Sequence, residues 1–149
     1  MGLVVVGLAV AALVRPPDSH APDFEVALLD GGTFRLSDHL ESDGRPLVLN
    51  LWASWCLPCR AEMPEIDTFA AAHPEVLVLG VAVDDTITEA NRFAGEIGVS
   101  YPLAFDEGAM RRAYPSFGLP ATFVIDTEGE IVEAVDGVVT VALLESIVP

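Results

Sequence analysis

The chain alternates between short, nearly unbroken apolar runs and longer stretches whose apolar residues recur at helical spacing. Pro46 to Trp52 and Val76 to Val83 are such runs, the pattern of strands buried on both faces. Between them, Leu57 to Ala72 sets Met63, Ile66, Phe69 and Ala70 on one helical face, with Pro64 inside the helix, where it is expected to bend it. Thr86 to Ile97 reads as a second helix, closed by Gly98. Upstream, Asp23 to Leu29 and Thr33 to Leu36 read as strands of a hairpin about the turn Asp30-Gly31-Gly32. Ser37 to Leu40 then makes one helical turn and Glu41 to Pro46 a polar loop. Downstream come a short strand at Tyr101 to Phe105, a helix reaching about Tyr114, and strands at Ala121 to Ile125 and Ile131 to Val135 joined by the turn Asp126 to Gly129. Thr140 to Val148 is a closing helix. Strands that alternate with helices and finish in a hairpin predict an α/β fold with a mixed central sheet and helices on both faces.

Met1 to Val14 stands apart from this pattern, being uncharged and almost wholly apolar. A membrane span needs about 20 residues, so this stretch matches the length of a signal core better, although no basic residues precede it. Residues 15–22, rich in proline and polar side chains, follow like a linker. The expectation is an export signal or membrane anchor at 1–14, a linker at 15–22 and one domain at 23–149; a buried first helix is the alternative.

Composition narrows the function. With 149 residues, 52 % of them hydrophobic, the chain can bury one real core. Its formal net charge is −16, and all seven basic residues are arginines. Such a surface repels phosphate backbones and anionic membrane faces, so nucleic acid is not an expected partner, and membrane attachment would need the apolar N-terminal segment.

Only two cysteines are present, Cys56 and Cys59. A structural disulfide framework would need more of them, and His20, His39 and His73 are too scattered to complete a zinc site, so no metal is expected. Cys56 stands where a buried strand gives way to a helix, and a helix N-terminus favours thiolate over thiol. Cys56 is therefore the expected nucleophile, the more exposed of the two, with Cys59 one turn on to close the disulfide. Pro58 lacks an N–H, which costs little in a first helical turn. The bland reading of a C-x-x-C pair is half of a metal site.

The setting of the pair resembles a known family. Asn50-Leu-Trp52-Ala-Ser-Trp55-Cys56-Leu-Pro-Cys59-Arg60, with Pro64 beyond, looks like the active-site stretch of thioredoxin-fold thiol–disulfide oxidoreductases. Gly118-Leu119-Pro120-Ala121-Thr122-Phe123 resembles that family's cis-proline loop. The run Cys59 to Pro64 and the hairpin start from Pro22 look more like the exported TlpA/ResA/CcmG branch, which serves cytochrome c maturation and related reductions. The resemblance covers about residues 22–149. It implies a thioredoxin-like fold with an N-terminal β-hairpin and an inserted strand–helix. It implies no cofactor beyond the Cys56–Cys59 disulfide itself. Leu119 and Pro120 would bind the substrate chain, alongside Trp55, Leu57 and Pro58 around the cysteines. Where plain thioredoxin has a buried acid this chain has Asn50, and the resemblance carries an active-site role to Glu62, which would accept the Cys59 proton.

Asp84-Asp85, Glu62 and Glu65 should gather negative charge near the pair, with Arg60 opposing it. That charge disfavours the thiolate and makes the pair reducing. The expected protein is a monomeric, membrane-tethered reductase on the extracytoplasmic (periplasmic) side, taking electrons from a membrane thiol donor and passing them to a protein disulfide in apocytochrome c or a similar client. A general thioredoxin-like reductant, a non-catalytic metal-binding module and a peroxiredoxin-type peroxidase are the alternatives. The last expects a hydroxyl residue where Ala53 stands.

Overall fold

The computed structural model describes residues 19–149, so the apolar segment at 1–14 lies outside the described residues. Twelve elements follow in order. They are β1 (Glu25–Leu28), β2 (Thr33–Arg35), α1 (Leu36–Ser42), β3 (Leu47–Trp52), α2 (Leu57–Ala72), β4 (Leu77–Ala82), α3 (Ile87–Ile97), β5 (Leu103–Phe105), α4 (Met110–Ala113), β6 (Ala121–Ile125), β7 (Ile131–Asp136) and α5 (Val141–Ile147).

The strands form one sheet in the order β2-β1-β5-β4-β3-β6-β7. β3 lies inside the sheet between β4 and β6, buried along its whole length, as an unbroken apolar run requires. It runs parallel to β4 and antiparallel to β6, in a register that sets Asn50 opposite Gly80 on one side and Thr122 on the other. β4 continues parallel to β5, while β1–β2 and β6–β7 close the two ends as antiparallel hairpins, with β1 also antiparallel to β5. The expected mixed α/β sheet is therefore the observed one.

The sheet separates two apolar layers. Leu36, Leu47, Leu49, Leu51 and Tyr114 pack on one face, and Val48, Trp52, Met63, Ile66, Phe69 and Phe93 on the other. The second layer contains both cysteines and the buried side of α2. Gly80 serves this layer by lacking a side chain. A Cβ there would lie 2.7 Å from Leu103 Cδ2, 3.1 Å from the Trp52 indole nitrogen and 3.2 Å from Tyr101 Cε2.

Several boundaries differ from the sequence expectation, each for a local reason. Leu36 is buried and starts α1 rather than ending β2, so the single turn expected at 37–40 is a helix through Ser42. α2, by contrast, spans Leu57–Ala72 as expected, with Pro64 inside it. The helix expected before Tyr114 shrinks to the four residues of α4, because the Asp106 carboxylate takes the Ala109 and Met110 N–H groups in a capped turn. Ser19 to Pro22, the end of the expected linker, lies against the domain. Ala21 is buried, its N–H donates to Gly129 O at 2.8 Å, and Pro22 O accepts from the Tyr114 hydroxyl at 2.6 Å. Among the described residues, no helix is long and apolar enough to cross a membrane.

Candidate active site

Cys56 is the N-cap of α2. Its backbone is extended, and its Sγ accepts the Cys59 N–H at 3.2 Å. Leu57 and Pro58 open the first turn, where a missing N–H leaves no bond unmade. Cys56 and Cys59 are joined as a disulfide with their Cα atoms 5.3 Å apart. The sequence reading had Cys56 exposed. In this oxidised form it is buried, with 4 % of its surface accessible against none for Cys59. Of the two, Cys56 keeps the sliver that solvent can reach, the order expected of nucleophile and partner.

The residues next to the cysteines in the chain and in the proline loop include several apolar, outward-facing side chains. Trp55 and Leu57 are 62 % and 76 % exposed, and Phe117 is fully so. Pro58 is exposed beside them. The Leu119–Pro120 peptide is cis, Pro120 is buried, and Leu119 packs against the layer that holds the cysteines. Pro120 O accepts the Gly137 N–H at 2.9 Å, which seats the loop on the end of β7.

Beneath the cysteines lies a polar group that apolar packing alone would not tolerate. Glu62, one turn after Cys59 on the buried face of α2, has no exposed surface. Its Oε1 accepts from Asn50 Nδ2 at 2.7 Å and its Oε2 from the Val139 N–H at 2.8 Å. Burial pushes its carboxyl up to about 7, against the pull of those two donors toward the charged form. Asn50 Nδ2 also donates to Thr122 Oγ1 at 3.1 Å, while Asn50 Oδ1 has no partner among the described protein groups. Asn50 is thus the donor that the Glu62 carboxyl rests on. The sequence offered one signal for this, a lone amide in an apolar run. Thr122 and the Val139 N–H gave none, because only sheet register and the return of the chain before α5 bring them in.

The acidic residues expected near the pair are each held by a donor or a cation. Asp85 Oδ2 accepts from Ser54 N–H at 2.6 Å, and its Oδ1 accepts from Ser54 Oγ and Thr86 N–H at 2.9 and 2.8 Å. Asp84 is paired with Arg111 at 3.1 Å. Glu65 accepts the Val141 N–H at 3.2 Å. Arg60 lies over the Phe93 ring, 4.7 Å from its centroid, and reaches Glu96 at 3.2 Å. Phe93 in turn stacks on Trp52 at 5.1 Å.

A fold and site of this kind occur in known proteins. Residues 17–134 match the AhpC/TSA family. The thiol-disulfide oxidoreductase ResA of Oceanobacillus iheyensis is 35 % identical over 132 residues, spanning 84 % of this chain and 67 % of that protein. Among solved structures, a thiol:disulfide interchange protein of the thioredoxin family from Chlorobium tepidum superposes with a TM-score of 0.77 at 27 % identity, over 90 % of this chain and 94 % of that one. The pneumococcal exposed lipoprotein thioredoxin from Streptococcus pneumoniae gives 0.73 at 28 % identity, over 84 % and 96 %. With a closed C-x-x-C disulfide at the head of α2, the chain belongs to the thioredoxin-fold AhpC/TSA family and, within it, to the thiol–disulfide oxidoreductases of ResA type.

Proposed function

We propose that this oxidoreductase is a reductase of protein disulfides, working on the extracytoplasmic side of a membrane with residues 1–14 as its export signal or anchor. The observation that carries this reading is a buried carboxyl, Glu62, one helical turn after a C-x-x-C disulfide whose neighbours Trp55 and Leu57 are exposed. The thiolate of reduced Cys56 attacks one sulfur of the client disulfide. An S–S bond forms between Cys56 and the client, and the client's other sulfur leaves as a thiolate. Cys59 then gives its proton to Glu62 and attacks Cys56 Sγ. The mixed disulfide breaks, the second client thiolate departs, and Cys56–Cys59 is oxidised as the client gains two electrons. A carboxyl near 7 suits this work, since it is about half ionised at neutral pH and basic enough to take a thiol proton. A thiol donor at the membrane would restore the dithiol.

Trp55, Leu57, Pro58, Leu119 and Pro120 are the client-binding set in this reading. The resemblance to the TlpA/ResA/CcmG branch supports apocytochrome c or a similar extracytoplasmic protein as client. The likeness to an exposed lipoprotein thioredoxin supports the location. Trapping with Cys59→Ala tests the proposal: a mixed disulfide on Cys56 should persist, and its partner should be an exported protein. If no partner accumulates, and Cys56→Ala behaves the same, Cys56 is not the nucleophile.

A further inference from the structure

One side chain joins the two loops that border the disulfide. Arg111 lies in α4, whose start is pinned by Asp106 and whose neighbours Met110 and Tyr114 are buried. Its Nε meets Asp84 Oδ2 at 3.1 Å, and its Nη1 donates to Ser116 Oγ. Asp84 belongs to the turn between β4 and α3, where its backbone carbonyl accepts the Trp55 indole N–H at 2.9 Å. It stands at φ +52°, a left-handed conformation uncommon for a residue with a Cβ and sustained by its surroundings. On the other side, Ser116 Oγ donates to Gly118 O at 3.0 Å, in the loop that runs into Leu119 and Pro120. The Phe117 N–H donates to Asp136 Oδ1 at 2.9 Å, so this loop holds a fully exposed aromatic ring on a fixed backbone. From Trp55 through Asp84, Arg111, Ser116 and Gly118, an unbroken set of polar contacts links the segment beside Cys56 to the loop that enters Pro120.

We propose that Arg111 is a positioning residue: it sets the spacing between the Trp55 wall and the Phe117–Pro120 wall, and so governs affinity for polypeptide disulfides. This rests on the protein-disulfide reading above. A small disulfide needs only the sulfur of Cys56, whereas an extended client segment must touch both walls at once. The planar guanidinium can hold both partners because its donors form a rigid fork, a geometry that lysine lacks. The Arg111–Asp84 pair is also partly shielded, with the two side chains 26 % and 54 % exposed.

Charge offers a rival account. Without Arg111, Asp84 would stand unpaired beside Trp55 and disfavour the Cys56 thiolate, which would slow every substrate alike. Ser116→Ala separates the two, because it cuts the link to the proline loop and leaves the Arg111–Asp84 pair in place. The full chain, reduced, is assayed against a disulfide-looped peptide and against hydroxyethyl disulfide, with the pH dependence of both rates. Arg111→Ala and Ser116→Ala should each raise KM for the peptide about three- to tenfold, with kcat changed by less than about twofold. Hydroxyethyl disulfide turnover and its pH profile should stay as in the wild type, and Arg111→Lys should recover only part of the peptide affinity. A loss shared equally by both substrates, or a silent Ser116→Ala beside an affected Arg111→Ala, overturns the proposal in favour of charge. An unchanged peptide KM in Arg111→Ala overturns it outright. A wild-type protein that turns over hydroxyethyl disulfide but spares the peptide overturns the protein-disulfide reading, and this inference with it.

Discussion

Glu62 is the residue whose environment departs furthest from its chemistry. A carboxyl with no exposed surface, lifted by burial from 4.5 to about 7, is protonated in the folded chain over a range where the unfolded chain has already lost its proton. The native state therefore binds more protons than the unfolded state in that window, and stability falls as pH rises through it. Burial thus favours the fold fully below about 4.5, and that benefit is gone above about 7. Denaturant unfolding of the oxidised protein should lose on the order of 3 kcal/mol across this interval, and Glu62→Gln should flatten the slope. An equally steep profile in the variant would mean another group is responsible. At this scale the sequence showed what is local. Cys56, Cys59 and Glu62 lie within two helical turns, so their spacing alone aligned them. Asn50 was readable as an oddity but not as the partner of Glu62, because twelve residues and a strand-to-helix turn separate them.

Elements were legible where a period or a stop signal ran long enough to be unambiguous. β3, β4 and α2 follow from apolar runs and helical recurrence, and Gly98 ends α3 in the left-handed conformation expected of a C-cap. The short pieces were misjudged where tertiary contacts overrode pattern. Leu36 joined a helix because it is buried there, and Asp106 replaced most of a helix with a capped turn. The packing of elements makes its own prediction at Gly80. The β3–β4 register sets it beside the rings of Trp52 and Tyr101, and though the end of Leu103 can swing away, the two rings cannot. Gly80→Ala should cost about 1–3 kcal/mol by overpacking, read as a lower denaturation midpoint with unchanged denaturant dependence. Trp52 fluorescence should report the disturbance, and an undiminished midpoint would show the layer is looser than its distances imply.

Across the whole molecule, the mixed sheet and its two helical layers could be expected from alternation alone, but sheet order could not. Nothing in the sequence places β5 between β1 and β4, or returns the chain before α5 to the underside of α2; those follow from closing both apolar faces at once. That return has a spectroscopic consequence. The Val139 N–H lies fully buried against Glu62 Oε2, and Thr140 caps the helix that follows. A bond to a carboxylate is roughly twice as strong as one to a neutral acid, so the proton on Glu62 should be written into one backbone amide on another element. The Val139 resonance should titrate with a midpoint near 7, while a flat resonance would mean the contact does not track the carboxyl. Followed in the oxidised and then the reduced protein, that one signal becomes an internal gauge of how the redox state of the cysteines alters the basicity of the group beneath them.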